Sequence, residues 1–416
     1  VKHSYLLKDP EDTARVFKEA FYIAGTGRPG PVLIDIPMDV QKAVIDFEYP
    51  EKCEIRSYKP TTKGNYVQVR RVMAALEEAE KPLICIGGGV FAAHAENEIR
   101  ELADLMQIPV ITTMMGISVF PDDDQLFCGM IGTHGVKMAN AAVNECDVLF
   151  LVGARVGDRA VKTPLALEKT TKIIHIDIDP AEIGKNIGAD LPLVGDAKLV
   201  LQQMTELAKP MKHDEWIAHI KTLGGERKYV EPATGTVNPR VFIDRLAKKM
   251  PANVTVVADV GQNQIWTCTE YKFRKEGRLL TSGGMGTMGY SVPAAIGAKM
   301  ADNSRATVAI CGDGAFQMSF MELATAVQFG VDIKVVVMTN NRLGMVRELQ
   351  TNGYHDRQTA VFLDGSPDFI KLAEAYGIPA MRVYDDDTMD KGIEMLAEHK
   401  GICLVEVVVD KDMPTL

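Results

Sequence analysis

Short apolar runs alternate with amphipathic stretches along most of this chain, and most of the runs leave through glycine or a polar turn. In the middle of the chain this pattern predicts strands and helices in alternation: strands over 83–86, 108–112, 148–152 and 173–178, and helices over 95–106 and 136–144. Nearly continuous apolar strands separated by helices are typical of a parallel sheet that is covered on both faces. The sequence therefore predicts an α/β fold with doubly wound parallel sheets.

The same alternation returns in the last part of the chain. It predicts strands over 254–258, 306–311, 333–338 and 402–409, with a helix over 320–329. A charged stretch over 209–235, with one short helical segment around 216–220, separates the two blocks. We therefore predict a central domain over 60–210 and a C-terminal domain over 236–416.

The first 45 residues follow a different pattern. Asp9 and Pro10 predict the start of a helix that runs to Ile23 and stops at Gly25, and a mostly apolar strand follows over 31–37. One helix and one strand cannot build a covered sheet, so residues 1–45 are predicted to be the C-terminal remnant of another domain. Polar residues 46–65 predict a linker. The alternative is that this strand joins the edge of the following domain.

Composition narrows the function. The chain has 416 residues, 25% of them charged, and a net charge of −10, which disfavours nucleic acid as a partner because nucleic-acid binding needs a basic face. Its seven cysteines are scattered without a CxxC pair, which is typical of buried thiols in a reducing compartment. We find neither a span of ~18 apolar residues nor a signal peptide, and expect a cytoplasmic protein with no membrane partner.

Two polar residues follow neighbouring strands of the last block. Asp313 lies in Gly-Asp-Gly after the run 306–311, and Asn340 follows the run 333–338. The carboxyl ends of parallel strands are where open α/β sheets bind ligands. A carboxylate and an amide oxygen suit Mg²⁺, which usually shares its ligand shell with substrate phosphates. The sequence predicts a magnesium site here, and the alternative is a turn followed by a polar loop.

A glycine loop precedes this pair. Gly284, Gly286 and Gly289 match G-x-G-x-x-G, a dinucleotide fingerprint when an acid follows about 20 residues later, a spacing that Asp313 roughly meets. We favour a loop whose amides approach a diphosphate, with Mg²⁺ on its far side, because Asp313 is flanked by glycines and followed by Asn340. A glycine-rich turn without a ligand is the alternative.

Three features of the middle block allow two interpretations each. The run Gly87-Gly88-Gly89 suits either a closely approaching ligand or a tight turn between strand and helix. Arg155 and Arg159 suit a phosphate or another anionic group, or an ion pair with Asp158. His134 has no second ligand at zinc spacing, and a loop histidine with a satisfied hydrogen bond is its default role.

Taken together, these residues resemble a known family. Gly312-Asp313-Gly314 followed by Asn340 is similar to the thiamine-diphosphate motif. The stretches 27–37, 260–266, 281–290 and 340–347 narrow the resemblance to the catalytic subunits of acetolactate synthases, also called acetohydroxyacid synthases, and the similarity runs along all 416 residues. The resemblance implies a pyrimidine-binding domain, of which 1–45 would be the tail, a central FAD-binding, Rossmann-like domain and a thiamine-diphosphate-binding domain.

The resemblance also implies three cofactors: thiamine diphosphate, Mg²⁺ and FAD. The Asp313 and Asn340 side chains and the Arg342 carbonyl would bind Mg²⁺. Thiamine diphosphate would be bound by Gly286, Thr287, Met288, Gly314 and Ala315, with Gln262 and Asn263 at its diphosphate end. Met288 would bend the cofactor and Met345 would lie near its reactive carbon, so that Gln262, Met288 and Met345 are the residues expected to serve catalysis.

The flavin is structural in this family and carries no hydride. By resemblance it would be bound by Arg28, Gly88, Thr113 to Gly116, Ile131 to His134, Gly153 to Gly157 (Arg155 included), Asp158, Arg159, Asp177, Ile178, Asp196 and Ala197.

The activity implied is a carboligation in branched-chain amino-acid biosynthesis. Pyruvate loses CO₂, and the remaining two-carbon unit joins a second 2-oxo acid, either pyruvate or 2-oxobutyrate, to give 2-acetolactate or 2-aceto-2-hydroxybutyrate. A homodimer or tetramer is expected, with room for a small regulatory subunit. The alternatives are another thiamine-diphosphate carboligase such as glyoxylate carboligase, a cofactor-binding fragment without catalysis, and an NAD dehydrogenase.

The chain departs from the family pattern at four places. Met38 replaces a usual lysine, Asn263 a usual histidine and Leu349 a usual tryptophan, and Leu416 precedes the family's C-terminal tail. The family's catalytic glutamate lies in the part of the first domain that precedes Val1. A positioned acid–base group contributes ~10²–10⁴-fold to a rate, so we expect this chain alone to be nearly inactive.

Overall fold

The structure of the chain is a computed structural model that describes residues 1–225 and 229–416. Residues 226–228, inside the charged stretch over 209–235, lie outside the described part. Three parallel sheets organise the described residues, one with two strands and two with six. No helix of the described residues is long and apolar enough to cross a membrane.

The first sheet is small. Its strands β1 (His3–Leu6) and β2 (Val32–Asp35) are joined by α1 (Thr13–Gly25), and α2 (Met38–Lys42) follows. Asp9 accepts a hydrogen bond from the Glu11 N–H and caps a 3-10 turn, so the α-helix starts a turn later than predicted. Strand β2 pairs with β1 and with neither larger sheet, so the alternative that it joins the next domain is wrong. Alternate residues of β2 are exposed, so this strand is not covered on both faces.

The second sheet occupies the middle of the chain, with strand order β5-β4-β3-β6-β7-β8 and every pair parallel. Its strands are β3 (Pro82–Ile86), β4 (Val110–Thr112), β5 (Phe127–Met130), β6 (Val148–Val152), β7 (Lys172–Asp177) and β8 (Leu191–Val194). Its helices are α3 (Tyr66–Glu78), α4 (Gly89–Ala92), α5 (Glu96–Met106), α6 (Lys137–Glu145), α7 (Pro164–Leu167), α8 (Ala197–Thr205) and α9 (Asp214–Thr222).

The two faces of this sheet bury separate cores. Ile84 and Ile86 of β3 pack with residues of α3, α5 and α8, whereas Leu83 and Cys85 pack with residues of α6 and α9. Successive side chains of a strand point to opposite faces, so an apolar strand contributes to both cores. Trp216 of α9 is buried and donates to the Pro82 carbonyl at 3.0 Å, so the short helix predicted inside the charged stretch over 209–235 packs against the middle block.

The third sheet has the order β10-β9-β11-β12-β14-β13 and is also parallel throughout. Its strands are β9 (Thr255–Ala258), β10 (Arg278–Thr281), β11 (Thr307–Gly312), β12 (Lys334–Thr339), β13 (Ala380–Val383) and β14 (Cys403–Val408). Its helices are α10 (Pro239–Lys249), α11 (Gln262–Glu270), α12 (Ser291–Ala301), α13 (Asp313–Phe316), α14 (Leu323–Gln328), α15 (Gly344–Gly353), α16 (Phe369–Ala375) and α17 (Asp386–Glu398).

This sheet is covered on both faces as well. Val308 and Ile310 of β11 enter one core, and Ala309 and Cys311 enter the other. The doubly wound α/β fold predicted from the sequence is therefore confirmed in both large sheets. The predicted helix over 320–329 is a 3-10 turn, Phe320–Glu322, followed by α14.

The middle and last blocks make polar contacts with each other. Asp122 and Phe273 form a reciprocal pair, since the Asp122 N–H donates to the Phe273 carbonyl at 2.9 Å and the Phe273 N–H donates to the Asp122 carboxylate at 2.8 Å. Ser118 Oγ accepts a hydrogen bond from the Leu279 N–H at 2.9 Å. Burial raises the pKa of Asp122 from 3.8 to about 6, although Lys272 and the Phe273 N–H lower it.

We predict that Asp122→Asn becomes more stable than the parent protein, by a margin that grows as the pH rises from about 4 to about 7. The folded-state pKa lies above the unfolded value, so this carboxyl contributes most to stability when protonated, and the contribution is lost as the pH rises through about 6. The neutral amide does not suffer that loss. Thermal unfolding midpoints across this pH range measure the effect, with the exposed neighbour Asp123→Asn as control. A difference between Asp122→Asn and the parent that does not change with pH would contradict it.

Candidate active site

Each large sheet has a point where the strand order reverses, and polar or glycine-rich loops meet there. In the middle sheet the chain runs outward from β3 through β4 to β5 and returns to β6 on the other side of β3. In the last sheet it runs from β9 to β10 and returns to β11 on the other side of β9. Ligands of open α/β sheets bind at such switch points, beyond the carboxyl ends of the strands.

The exits of β3 and β6 lie so close together that only glycine fits. A Cβ on Gly87 would lie 2.1 Å from the Gly153 carbonyl oxygen, and one on Gly89 would lie 2.7 Å from the Gly153 Cα. The Gly89 N–H donates to that carbonyl oxygen at 3.0 Å. The tight-turn interpretation of the glycine run thus holds for Gly87 and Gly89, while Gly88 and Gly89 also reach the wall of a cavity.

That cavity has a volume of about 1430 Å³ and is lined by all three parts of the chain. It exceeds the ~300–1,000 Å³ typical of a site for one small ligand. Most of the residues predicted for FAD lie on its wall: Arg28, Gly88, Thr113, Ile131, His134, Gly153, Arg155, Gly157, Asp158, Arg159, Asp177, Ile178, Asp196 and Ala197. Gly286 and Met345, predicted for thiamine diphosphate, lie on the same wall.

Gly116, Gly132 and Thr133 do not reach this wall. Gly116 is buried behind it, where an added Cβ would lie 2.2 Å from the Ile86 carbonyl oxygen. Its structural role is therefore close packing against β3. Glu182 and Gln264 line the cavity without having been predicted. Glu182 accepts from the Arg28 guanidinium at 2.6 Å, so Arg28 joins the first unit to the middle block.

Four cationic residues line the cavity: Arg28, Lys59, Arg155 and Arg159. Arg155 and Arg159 lie in the middle block and are both exposed. Neither arginine forms an ion pair within residues 1–225 and 229–416, so the pairing with Asp158 is not formed. His134 is half-buried nearby, and burial lowers its pKa, with Arg159 adding to the effect. Two unpaired guanidinium groups beside a large cavity can bind an anionic ligand such as a phosphate.

At the second switch point the structure brings Asp313 and Asn340 together. The Asp313 carboxylate accepts from the N–H groups of Asn341 at 2.6 Å, Asn340 at 3.2 Å and Gly314 at 2.8 Å. This side chain is only 2% exposed. Burial raises its pKa from 3.8 to about 6, although the three N–H groups lower it. A buried carboxylate whose charge is offset only by peptide dipoles is one that a cation would stabilise.

Asn340 and Arg342 complete this cluster. Asn340 Oδ1 accepts from the Arg342 N–H at 3.1 Å, on the loop that contacts Asp313. The Arg342 guanidinium pairs with Asp364 at 2.7 Å and lies over the Phe362 ring at 4.7 Å, so only its backbone could serve a cation. The described residues contain no group of three His, Cys, Asp or Glu that could hold a metal, so a cation here needs amide and carbonyl oxygens.

The glycine loop is fastened by a residue that we did not predict. Asp259 is fully buried, and its carboxylate accepts from the N–H groups of Val260 at 2.9 Å, Gly289 at 3.0 Å and Ser291 at 2.8 Å. Gly286 and Gly289 have φ of 69° and 82°, which glycine adopts at least cost. Asp259 follows the apolar run 254–258, so the strand-exit pattern that identified Asp313 could also have found it.

The remaining predicted residues lie around this loop. Met288 reaches Gly314, since an added Cβ at Gly314 would lie 3.3 Å from the Met288 Cε. The Thr287 N–H donates to Ser282 Oγ at 3.1 Å, and Ala315 is buried. Asn263 donates to the carbonyls of Asp259 at 2.8 Å and Ile310 at 3.2 Å, and so ties the β9 and β11 exits together.

Family models match both large blocks of the chain. Residues 69–204 match the model "Thiamine pyrophosphate enzyme, central domain", and residues 259–407 match "Thiamine pyrophosphate enzyme, C-terminal TPP binding domain". Thiamine pyrophosphate is another name for thiamine diphosphate. The fold and the matched domains define a thiamine-diphosphate enzyme.

Similar proteins narrow this class. The chain is 41% identical to a "Probable acetolactate synthase large subunit" of Methanocaldococcus jannaschii, over 98% of the chain and 71% of that protein. It is 38% identical to an "Acetolactate synthase large subunit" of Buchnera aphidicola, over 94% and 70%, and 36% identical to the "Acetolactate synthase isozyme 3 large subunit" of Escherichia coli, over 99% and 74%. The chain belongs to the acetolactate synthase large-subunit family.

We predict that Asp259→Ala weakens thiamine-diphosphate binding and destabilises the last block by at least about 2 kcal/mol. Three backbone N–H groups, those of Val260, Gly289 and the buried Ser291, lose their acceptor, and an unsatisfied buried donor costs ~1–3 kcal/mol. Calorimetric titration with thiamine diphosphate and Mg²⁺, together with urea denaturation, measures both effects. Asp259→Asn, which keeps one acceptor oxygen, is the matched control and should lose less. Equal behaviour of the two variants and the parent would show that the loop does not depend on this carboxylate.

Proposed function

We propose that this chain is the catalytic large subunit of an acetolactate synthase. It decarboxylates one pyruvate and joins the remaining two-carbon unit to a second 2-oxo acid, so that two pyruvates give 2-acetolactate and CO₂, and pyruvate with 2-oxobutyrate gives 2-aceto-2-hydroxybutyrate. The reaction belongs to branched-chain amino-acid biosynthesis. The observation that carries the proposal is the Asp313–Asn340 cluster at the switch point of a domain that matches the thiamine-diphosphate family.

A cation site follows from the oxygen atoms of this cluster. Mg²⁺ would be held by the Asp313 carboxylate, Asn340 Oδ1 and the Arg342 carbonyl, which are the hard oxygen ligands that Mg²⁺ prefers. Burial of the Asp313 carboxyl group raises its pKa to about 6, because a buried negative charge is unfavourable. A bound Mg²⁺ would offset that negative charge. The cation in turn would draw a diphosphate to the adjoining glycine loop, whose backbone at Gly286 is free of side-chain bulk.

Thiamine diphosphate supplies the electron sink that allows a 2-oxo acid to lose CO₂ and form a new carbon–carbon bond. The chain's residues position the reactants. Met288 packs against Gly314 beside the cation cluster, and Met345 lies on the cavity wall. Both present apolar side chains where a ring can rest and where water is displaced. Asp259 keeps the glycine loop at a fixed distance from the β9 exit.

FAD is the proposed occupant of the cavity of about 1430 Å³. The size suits a dinucleotide, Arg155 and Arg159 would bind its phosphates, and the closely packed glycines of β3 and β6 bring peptide backbone to the wall. The flavin would serve a structural role. The same family membership supports a homodimer or tetramer as the working assembly and, since relatives are named large subunits, a small regulatory subunit as partner.

We predict that the full-length gene product forms acetolactate from pyruvate and that Asp313→Ala abolishes both this activity and Mg²⁺-dependent thiamine-diphosphate binding. Loss of the carboxylate removes the charged ligand of the cation. Product analysis with pyruvate, with pyruvate plus 2-oxobutyrate and with glyoxylate tests the substrate, and calorimetry tests the cofactor. Asp364→Ala, which removes an exposed carboxylate that pairs with Arg342, is the control. Ligation of glyoxylate without acetolactate would favour a glyoxylate carboligase, and unchanged affinity in Asp313→Ala would refute the cation site.

We predict that replacing Arg155 and Arg159 together by Ala weakens FAD binding about tenfold or more, because charge-assisted hydrogen bonds contribute ~1.5–3 kcal/mol each. Quenching of flavin fluorescence on titration measures the dissociation constant. Lys169→Ala, which removes a positive charge elsewhere on the surface of the middle block, is the control. Unchanged flavin affinity in the double variant would remove the arginines from the flavin site.

A further inference from the structure

Gln262 does not line the large cavity; it is buried behind the cation cluster at the start of α11. Its Oε1 accepts a hydrogen bond from Asn340 Nδ2 at 3.1 Å. On the other side of the same amide, Asn340 Oδ1 accepts from the Arg342 N–H at 3.1 Å. If the Asn340 amide turned over, two acceptors would face each other at Gln262 and two donors would face each other at Arg342. Gln262 and the Arg342 N–H together therefore fix which atom of Asn340 is presented to a cation, and Gln262 is the one of the two that acts through its side chain.

The orientation of the Gln262 amide is itself fixed by the acceptors around its Nε2 group. Its Nε2 group donates to the Met413 carbonyl at 2.9 Å, to Thr415 Oγ1 at 3.2 Å and to Glu348 Oε2 at 3.3 Å. The hydroxyl of Thr415 donates to Glu348 and so is left to accept from Gln262. Because all three neighbours accept from Nε2, the oxygen of Gln262 must point toward Asn340.

Residues 410–415 bring these acceptors into place, and we call them the strap. The strap crosses α11 and α15, where the Trp266 indole N–H donates to the Pro414 carbonyl at 3.2 Å and Arg347 pairs with Asp412 at 3.2 Å. The Thr415 N–H donates to the Glu348 carboxylate at 3.1 Å. Gln262 thus links the strap and Glu348, which accept from its Nε2 group, to Asn340, which donates to its Oε1.

The space for Gln262 Oε1 depends on Gly344. A Cβ on Gly344 would lie 1.9 Å from Gln262 Oε1 and 3.1 Å from Asn340 Nδ2. Gln262 is held by its three acceptors and by α11, so it could yield to such a group only by giving up those hydrogen bonds. Gly344 therefore offers a second way to disturb the same contact without changing Gln262 itself.

We propose that Gln262 is a positioning residue for the metal ligand Asn340: held by Glu348 and the strap, it orients the Asn340 amide so that Oδ1 faces the cation. The inference rests on the cation site of the proposed function and assigns to Gln262 a role that acts through Asn340. Partners that orient a ligand in this way change metal affinity by ~10–100-fold when removed.

The test uses full-length protein saturated with thiamine diphosphate and measures the dissociation constant of Mn²⁺ by electron spin resonance. Gln262→Met keeps the length of the side chain but removes both hydrogen-bonding groups, and it should weaken Mn²⁺ binding about tenfold or more. Gly344→Ala and Thr415→Val should weaken it in the same direction. The control is Thr267→Val, which removes another buried hydrogen bond of α11, from Thr267 Oγ1 to the Asn263 carbonyl, and should leave Mn²⁺ affinity unchanged.

A double-mutant cycle separates positioning from other roles of Gln262. In Asn340→Asp both terminal atoms are oxygens, so no orientation has to be chosen and the contact with Gln262 Oε1 loses its donor; adding Gln262→Met should then cause no further loss of Mn²⁺ affinity. An equal loss in both backgrounds, as expected if Gln262 touched the diphosphate directly or only stabilised the fold, would overturn the inference. So would an unchanged affinity in Gln262→Met alone. A parent protein that fails to bind Mn²⁺ would overturn the cation site and this inference together.

Discussion

Three backbone N–H groups hold the buried carboxylate of Asp313 at the exit of β11, and the rest of the candidate site is arranged around that contact. Two of the N–H groups belong to Asn340 and Asn341, so the same hydrogen bonds that stabilise the carboxylate bring the exit of β12 to it. Asp259 repeats the device one strand away and holds the glycine loop. Each carboxylate lies at the end of a strand and anchors a neighbouring loop through hydrogen bonds to its backbone N–H groups.

The two carboxylates differ in what lies beside them. Asp259 is fully buried, and two of its three N–H donors, those of Gly289 and Ser291, come from the end of the glycine loop and the start of α12, which suits a structural role. Asp313 lies beside Asn340, whose N–H donates to it, and burial raises the pKa of Asp313 to about 6 although three N–H groups lower it. The Asn340 side chain beside Asp313 adds an amide oxygen, and this is why we propose the cation at the exit of β11 rather than at that of β9.

In the two large sheets, the strands that the sequence identified are the inner ones. All of β3, β4, β6, β7, β9, β11, β12 and β14 were predicted from apolar runs, whereas β5, β8, β10 and β13 were missed, and these four form the edges of the two large sheets. An inner strand is covered on both faces and needs apolar side chains at successive positions. An edge strand such as Ala380–Val383 is partly exposed, so its sequence carries polar and apolar residues without a clear run.

The sequence by itself determined the chemistry of the strand exits. Carboxylate, amide and glycine at 313, 340 and 286 follow apolar runs or fill loops in a local pattern, and that pattern was sufficient to predict a cation and a diphosphate at this edge of the sheet. The two arginines at 155 and 159 were found in the same way, but whether they were paired could not be decided from their spacing.

Only the tertiary structure decided which partners complete the site. Gln262 and Thr415 are 153 positions apart, and Arg28 and Glu182 are 154 apart, yet each pair is in contact. Such contacts depend on the order of the strands in the sheet and on how α11, α15 and residues 410–415 pack. A hydrogen bond requires the two atoms to lie about 3 Å apart in space, whatever their separation in the sequence. A local pattern specifies a side chain and the turn that carries it, but the partner that orients it is set by the fold.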